Sequence, residues 1–221
     1  MLEELNKKFS KLLWNRAVKQ RFGFGPEHLT MYYSAWNFAK WPLDETYDYF
    51  VNNHKKGIEN YDKLIRECNS TDRNTTIRPK LVNKIYPKIN GLPNIITSNG
   101  LLEIAKSRTG ESTKTNTHMV FGSGTASEAL SDTQLESQMF AKSFDADGAR
   151  TVETSTNLEK YLMPVLPSDD TPPFSVTECG IATGASPPTD ILISRVTFNS
   201  IQVDTDDLLT VLVTIGHENG T

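Results

Sequence analysis

The sequence predicts an α+β protein: a helical, aromatic-rich N-terminal segment followed by a mainly antiparallel β-sandwich with one or two short helices. Three observations on the 221 residues carry this. Residues 1–90 hold 16 Lys+Arg against 10 Asp+Glu, whereas 91–221 hold 7 against 17, so a net charge of -4 joins two segments of different character. Twelve of the 20 aromatic residues fall within the first 50, and so many large rings need a large surface to bury them. From about residue 94 the chain becomes dense in Ser, Thr and Gly, with short apolar runs rich in β-branched residues, which is strand texture.

In chain order, Leu2, Leu5, Phe9, Leu12 and Leu13 follow helical spacing and predict a helix around 2–20. Tyr47, Phe50, Val51, His54, Ile58, Tyr61, Leu64, Ile65 and Cys68 do the same over 44–68, with Asp44 placed to cap. Between them, FGFGPEHLTMYYSAWNFAKWP has no clean period and is read as an irregular aromatic loop. Residues 69–93 are polar and broken by Gly91-Leu92-Pro93, and read as a linker, so the predicted organisation is 1–68 helical docking segment, 69–93 linker and 94–221 β-sandwich. Within the last part the predicted strands are His118–Gly122, Ser175–Thr183, Ile191–Phe198 and Leu208–Gly216, and the predicted helices are Ser98–Ser107 and Asp132–Ser143, with Leu135, Met139 and Phe140 inward. Along 208–215, Leu209, Val211, Val213 and Ile215 alternate with a second, partly apolar set, Leu208, Thr210, Leu212 and Thr214, which implies a covered outer face.

A chain of this length buries a core without needing metals or disulfides. No apolar run of about 18 residues exists to span a bilayer, and the N-terminus lacks the pattern of a secretory signal; synthesis in a cytoplasm and no membrane partner are expected. Cys68 and Cys179, far apart in sequence and outside any Cys/His cluster, read as free thiols.

Gly122-Ser-Gly124 lacks the third glycine of a dinucleotide fingerprint and any Gly-Lys-Ser/Thr, and SRTGEST at 107–113 carries a phosphate-repelling Glu111. DADG at 145–148 begins like a calcium loop but has Ala149 and Thr156 where ligands belong. Asp204, Asp206 and Asp207 read as a solvated acidic turn, and Asp169-Asp170 beside Pro172-Pro173 as a solvated loop. No zinc, nucleophile-elbow or nucleotide motif stands out, the lysines of the basic half belong to polar helix faces, and no enzyme, cofactor, metal or nucleic-acid partner is expected.

Taken together, NIITSNGLLEIAK (94–106), HMVFGSGT (118–125), LSDTQLESQM (130–139), VTECGIAT (176–183), ISRVTF (193–198) and DLLTVLVTI (207–215) form an ordered series. It resembles a domain of virion structural proteins from tailed phages and archaeal tailed viruses, especially proteins of tails, baseplates and fibre attachment. Leu212 where an aromatic is frequent, Cys179 between Glu178 and Gly180, and Gln138 in place of Glu are departures. The resemblance implies a non-enzymatic virion component that works by assembly with other virion proteins, as a homo-oligomer, trimer or ring; a glycan- or host-surface-binding module is the alternative, and a head or neck decoration protein stands behind both. In that reading Gly122 and Gly124 turn the chain after a strand and Asp132 caps the helix that follows. Trp14, Tyr32, Tyr33, Trp36, Phe38 and Trp41 are the expected partner contacts, because aromatic side chains are the usual interface anchors, and the alternative is that they form the core of an independent helical domain.

Overall fold

The structure is a computed structural model that describes residues 30–69, 77–85, 95–153, 158–187 and 189–219. The predicted helix at 2–20 therefore lies outside the described residues, as does Trp14. The fold is α+β, built on two packed antiparallel sheets of five strands each. The strands are β1 (Thr30–Pro42), β2 (Leu81–Ile85), β3 (Ile95–Ile96), β4 (His118–Gly122), β5 (Gln138–Ser143), β6 (Ala149–Glu153), β7 (Leu158–Val165), β8 (Phe174–Ala182), β9 (Leu192–Val203) and β10 (Asp207–Asn219). The first sheet runs β2-β1-β10-β7-β6 and the second β3-β9-β8-β4-β5. Among the described residues three short α-helices accompany them: α1 (Leu43–Tyr47), α2 (Gly57–Asn69) and α3 (Ser98–Thr109).

The sandwich begins at Thr30, far before residue 94. Residues 30–42, read as an irregular loop, form a 13-residue strand that pairs over its whole length with β10. Period-two alternation is present: Trp36 and Phe38 enter the core between the sheets, while Ala39 and Trp41 enter a separate core on the outer face of the first sheet. Both faces are buried, so both carry apolar side chains and no alternation of polar with apolar shows in the sequence. The linker is corrected likewise: Leu81–Ile85 is a strand that pairs with Trp36–Lys40 of β1.

The helical prediction over 44–68 resolves into α1, a π-helical turn at Asp48–Asn52, a 3-10 turn at His54–Lys56 and α2. Asp44 sits in the first turn of α1, whose N-cap is Pro42, so it is not the cap. Phe50, Ile58, Tyr61 and Leu64 pack onto Ala39, Trp41, Ala149, Leu162, Leu208 and Leu212. This is the cover that the apolar outer set of β10 implies. Trp41 also donates its indole N–H to the Thr210 hydroxyl at 2.8 Å, which satisfies two buried polar groups beneath the helices.

Four predicted strands are found, as β4, β8, β9 and β10, and the predicted helix at 98–107 is α3. Thr97 is its N-cap, accepting from the Gly100 N–H at 2.9 Å, and Gly110 ends it at φ 77. The helix predicted at Asp132–Ser143 is absent: residues 130–137 are irregular and Gln138–Ser143 is the edge strand β5. Leu135 is nonetheless inward, packed with Val120, Ala182 and Leu192 on the outer face of the second sheet. Cys68 and Cys179 are free thiols, and burial followed by the neighbouring Glu178 charge pushes the Cys179 thiol well above its ordinary value.

Candidate functional site

The polar feature that organises the molecule lies on the outer face of the second sheet, where β4 runs out at Gly122 and residues 123–137 loop back to β5. Glu178 of β8 has no exposed surface, and an isolated buried carboxylate would be costly. Its Oε1 accepts from the Gly124 N–H at 2.9 Å and the Ser137 N–H at 2.8 Å; its Oε2 accepts from the Glu136 N–H at 3.1 Å and from Arg195 Nε at 3.0 Å and Nη2 at 2.8 Å. Arg195 extends the cluster, donating to Asp132 Oδ2 at 2.7 Å and to the Ala126 carbonyl at 3.1 Å. Burial alone would lower the guanidinium pKa, but the Asp132 and Glu178 carboxylates outweigh it and raise it.

The glycines are architectural, as the sequence reading has them, through proximity to Glu178. A side chain on Gly122 would place Cβ 2.5 Å from Glu178 Oε1, and one on Gly124 would collide with the same oxygen and with Glu136. Gly124 supplies one of the three backbone N–H groups that hold the chain's own Glu178; Glu136 and Ser137 supply the others. Asp132 caps no helix; it accepts from Arg195 and from the Ala129 N–H at 2.9 Å. Neither Arg195 nor Glu178 was singled out from sequence. The available signal is one acid and one base isolated in two apolar strands, VTECGIA and LISRVTF, that pair as neighbours.

Two of the three acids of the 123–137 loop, Glu128 and Asp132, turn toward the sheet, while Glu136 stays exposed and bonds to the loop's own backbone. Glu128 accepts from the Thr197 N–H and, at 2.8 Å, from the Thr197 hydroxyl. Glu136 accepts from the Thr125 N–H at 2.6 Å and the Ala126 N–H at 2.7 Å; hydrogen bonds from Ala126 and then Thr125 hold its carboxyl below the ordinary range. The exposed residues of 123–131 are Ser123, Thr125, Ala126, Ser127, Ala129, Leu130 and Ser131, with the exposed Glu136 carboxylate held against Thr125 and Ala126.

Helix α3 adjoins this surface, since the Ser98 N–H donates to the Leu130 carbonyl at 2.8 Å. Gly100 lets the first turn of α3 lie against the Ile193 backbone, and Ser98, Leu101, Leu102 and Ala105 face outward. Helical side chains lean toward the N-terminus, so Leu101 and Leu102 incline over the turn that Leu130 adjoins. Leu101, Leu102 and Leu130 are 39%, 53% and 52% exposed. Leu101, Leu102 and Leu130 thus form an exposed apolar patch, with the exposed Glu136 carboxylate at its rim beside Thr125 and Ala126, and such patches mark interaction sites.

The residues predicted to contact partners are not brought together there. Trp36, Phe38 and Trp41 have no exposed surface, because they fill the two cores described above, and a side chain with nothing exposed cannot anchor a partner. Tyr32 and Tyr33 lie in β1 opposite His217 and Gly216, and their side chains fall outside what the structure describes. The acidic turn at 204–207 is not freely solvated: Asp207 is 1% exposed and paired with Lys40 at 2.8 Å and Lys80 at 2.7 Å, and Lys80 also reaches Asp206 at 2.8 Å. Asp169 likewise pairs with the buried Lys142 at 2.8 Å, while Asp170 is exposed. DADG forms the turn between β5 and β6.

Comparison of the chain with protein-family models, with curated proteins and with solved structures finds no match.

Proposed function

We propose that the protein is a non-enzymatic structural component of a tailed-virus particle, of the tail, baseplate or fibre-attachment kind, and that it works by protein–protein assembly with other virion proteins and with copies of itself. The ordered series of segments across 94–215 supports the virion reading. The observation that carries assembly is the exposed leucine face of α3 and residues 125–131, whose own acid Glu128, with Asp132 beside it, is turned toward the sheet, leaving the exposed Glu136 carboxylate at its rim. An apolar face left open costs solubility, and covering it with protein recovers the hydrophobic free energy of burial.

The alternative of glycan recognition draws less support. Sugar platforms are exposed aromatic rings: Tyr161, the only Tyr or Trp after residue 93, has no exposed surface, and Tyr47 of α1, 40% exposed, is a single ring on the helical cover. The Tyr161 hydroxyl lies between Asn116, at 2.8 Å, and Glu159.

Light scattering on the purified full chain tests the proposal. An oligomer of fixed copy number is expected, and a glycan array is expected to stay silent. A monomer that binds glycans on the array would overturn the assembly reading in favour of surface recognition.

A further inference from the structure

We infer that the leucine face of α3 and residues 125–131 seats the N-terminal segment, residues 2–14, of a second copy of the chain; the inference rests on the assembly reading and names its contact. Three half-exposed leucines offer far less than the roughly 800 Å² that each partner of a face-to-face dimer buries. They suit one amphipathic helix, whose anchors recur at i, i+3 and i+7. Leu2, Leu5, Phe9, Leu12 and Leu13 supply those anchors on the N-terminal side of β1.

Reach and charge agree with this occupant. The Ser34 and Ser194 hydroxyls lie 3.2 Å apart, and Ser194 pairs with Ile96, two residues before α3 begins. The start of β1 and the start of α3 therefore share one end of the sandwich, and a segment leaving Thr30 departs beside the face. Residues 15–29 span up to about 50 Å when extended, enough to cross to a neighbouring copy. Residues 1–29 carry six Lys+Arg against three Asp+Glu, whereas 30–221 carry 17 against 24, so arm and receiving domain attract. An arm-on-face contact is heterologous: each copy gives an arm and receives one, which closes into a ring when the rotation permits.

The test uses full-length chains throughout. One variant carries Leu101→Ser and Leu102→Ser; the other carries Phe9→Ser and Leu12→Ser. Circular dichroism confirms that both fold, and light scattering reads their mass. Each alone is expected to fall to one chain, with self-association weakened at least about 100-fold. Mixed in equal amounts they are expected to give a heterodimer and nothing larger, because one keeps an intact face and the other an intact arm. If the wild type is an oligomer and either variant stays one, or if mixing restores no dimer, the inference falls while the assembly reading stands. A monomeric wild type, whether trypsin spares Lys7, Lys8 and Lys11 or not, removes the second copy as occupant and self-assembly with it.

Discussion

Glu178 is the residue on which the outer surface of the second sheet depends. It has no exposed surface, yet five donor contacts converge on its two oxygens, three from backbone N–H groups and two from Arg195. Such a cluster is stable only when complete, because removing one partner leaves the other charge buried and uncompensated. Arg195→Met is therefore expected to destabilise the fold by about 3–5 kcal/mol, read as a lowered midpoint in urea unfolding. An unchanged midpoint would mean that the backbone donors suffice to hold the carboxylate. Gly122→Ala probes the cluster from the other side: the added methyl meets Glu178 and the Ser137 carbonyl, and a loss of about 1–3 kcal/mol is expected, several degrees in Tm. The sequence made the glycines legible as architecture. Their partner was not legible, because a lone Glu in an apolar strand reveals its role only beside the lone Arg of the next strand.

At the scale of elements, the helical cover and the strands are one unit, and β1 is its hinge point in sequence. It pairs with both β2 and β10, and its two faces serve two cores. A chain beginning at Asn94 would lack β1, β2, α1 and α2, leaving the edge of β10 unpaired, the inner core without Trp36 and Phe38, and the outer face of β10 without the cover of α2. It is expected to be insoluble or unfolded by circular dichroism, whereas a chain beginning at Thr30 keeps every described element and is expected to melt cooperatively. A stable, folded 94–221 fragment would overturn this arrangement of the sheets. Strands with one polar and one apolar register, or short β-branched runs between turns, were readable: β4, β8, β9 and β10 all have that form. β1 was not, since burial on both sides erases the polar half of its alternation. β5 was mistaken for a helix because Leu135 and Met139 stand four apart, although the first packs from an irregular loop and the second from a strand. β7 was missed behind Pro164, which is tolerated because it lies beyond Leu162, the last residue that β6 pairs.

The whole molecule is closed at one end by charge. Lys40 of β1 and Lys80, just ahead of β2, converge on Asp207 at the start of β10, and the Leu43 N–H donates to the Asp206 carbonyl at 2.9 Å, so strands distant in sequence are tied at a single corner. Burial pushes the Asp207 carboxyl up, but hydrogen bonds from Lys40, Lys80 and the Asp204 N–H outweigh it and leave it below the ordinary carboxylate range. Lys80 is raised by its hydrogen bonds to Asp206 and then Asp207. A depressed acid binds fewer protons folded than unfolded, so its stabilisation is complete above about pH 5 and is lost as pH falls through the lower folded value. A raised lysine acts in the opposite sense, complete below its ordinary value near about 10.4 and lost as pH climbs past it. Stability is thus expected to be flat between these limits and to fall steeply below about pH 4. Asp207→Asn removes the acid-labile part at this corner: it is expected to cost about 1–3 kcal/mol at pH 7 and to narrow its gap from the parent chain as pH drops toward 2. Urea midpoints measured for both chains across that range decide it, and a gap that stays constant down to pH 2 would mean that Asp207 contributes through its shape rather than its charge.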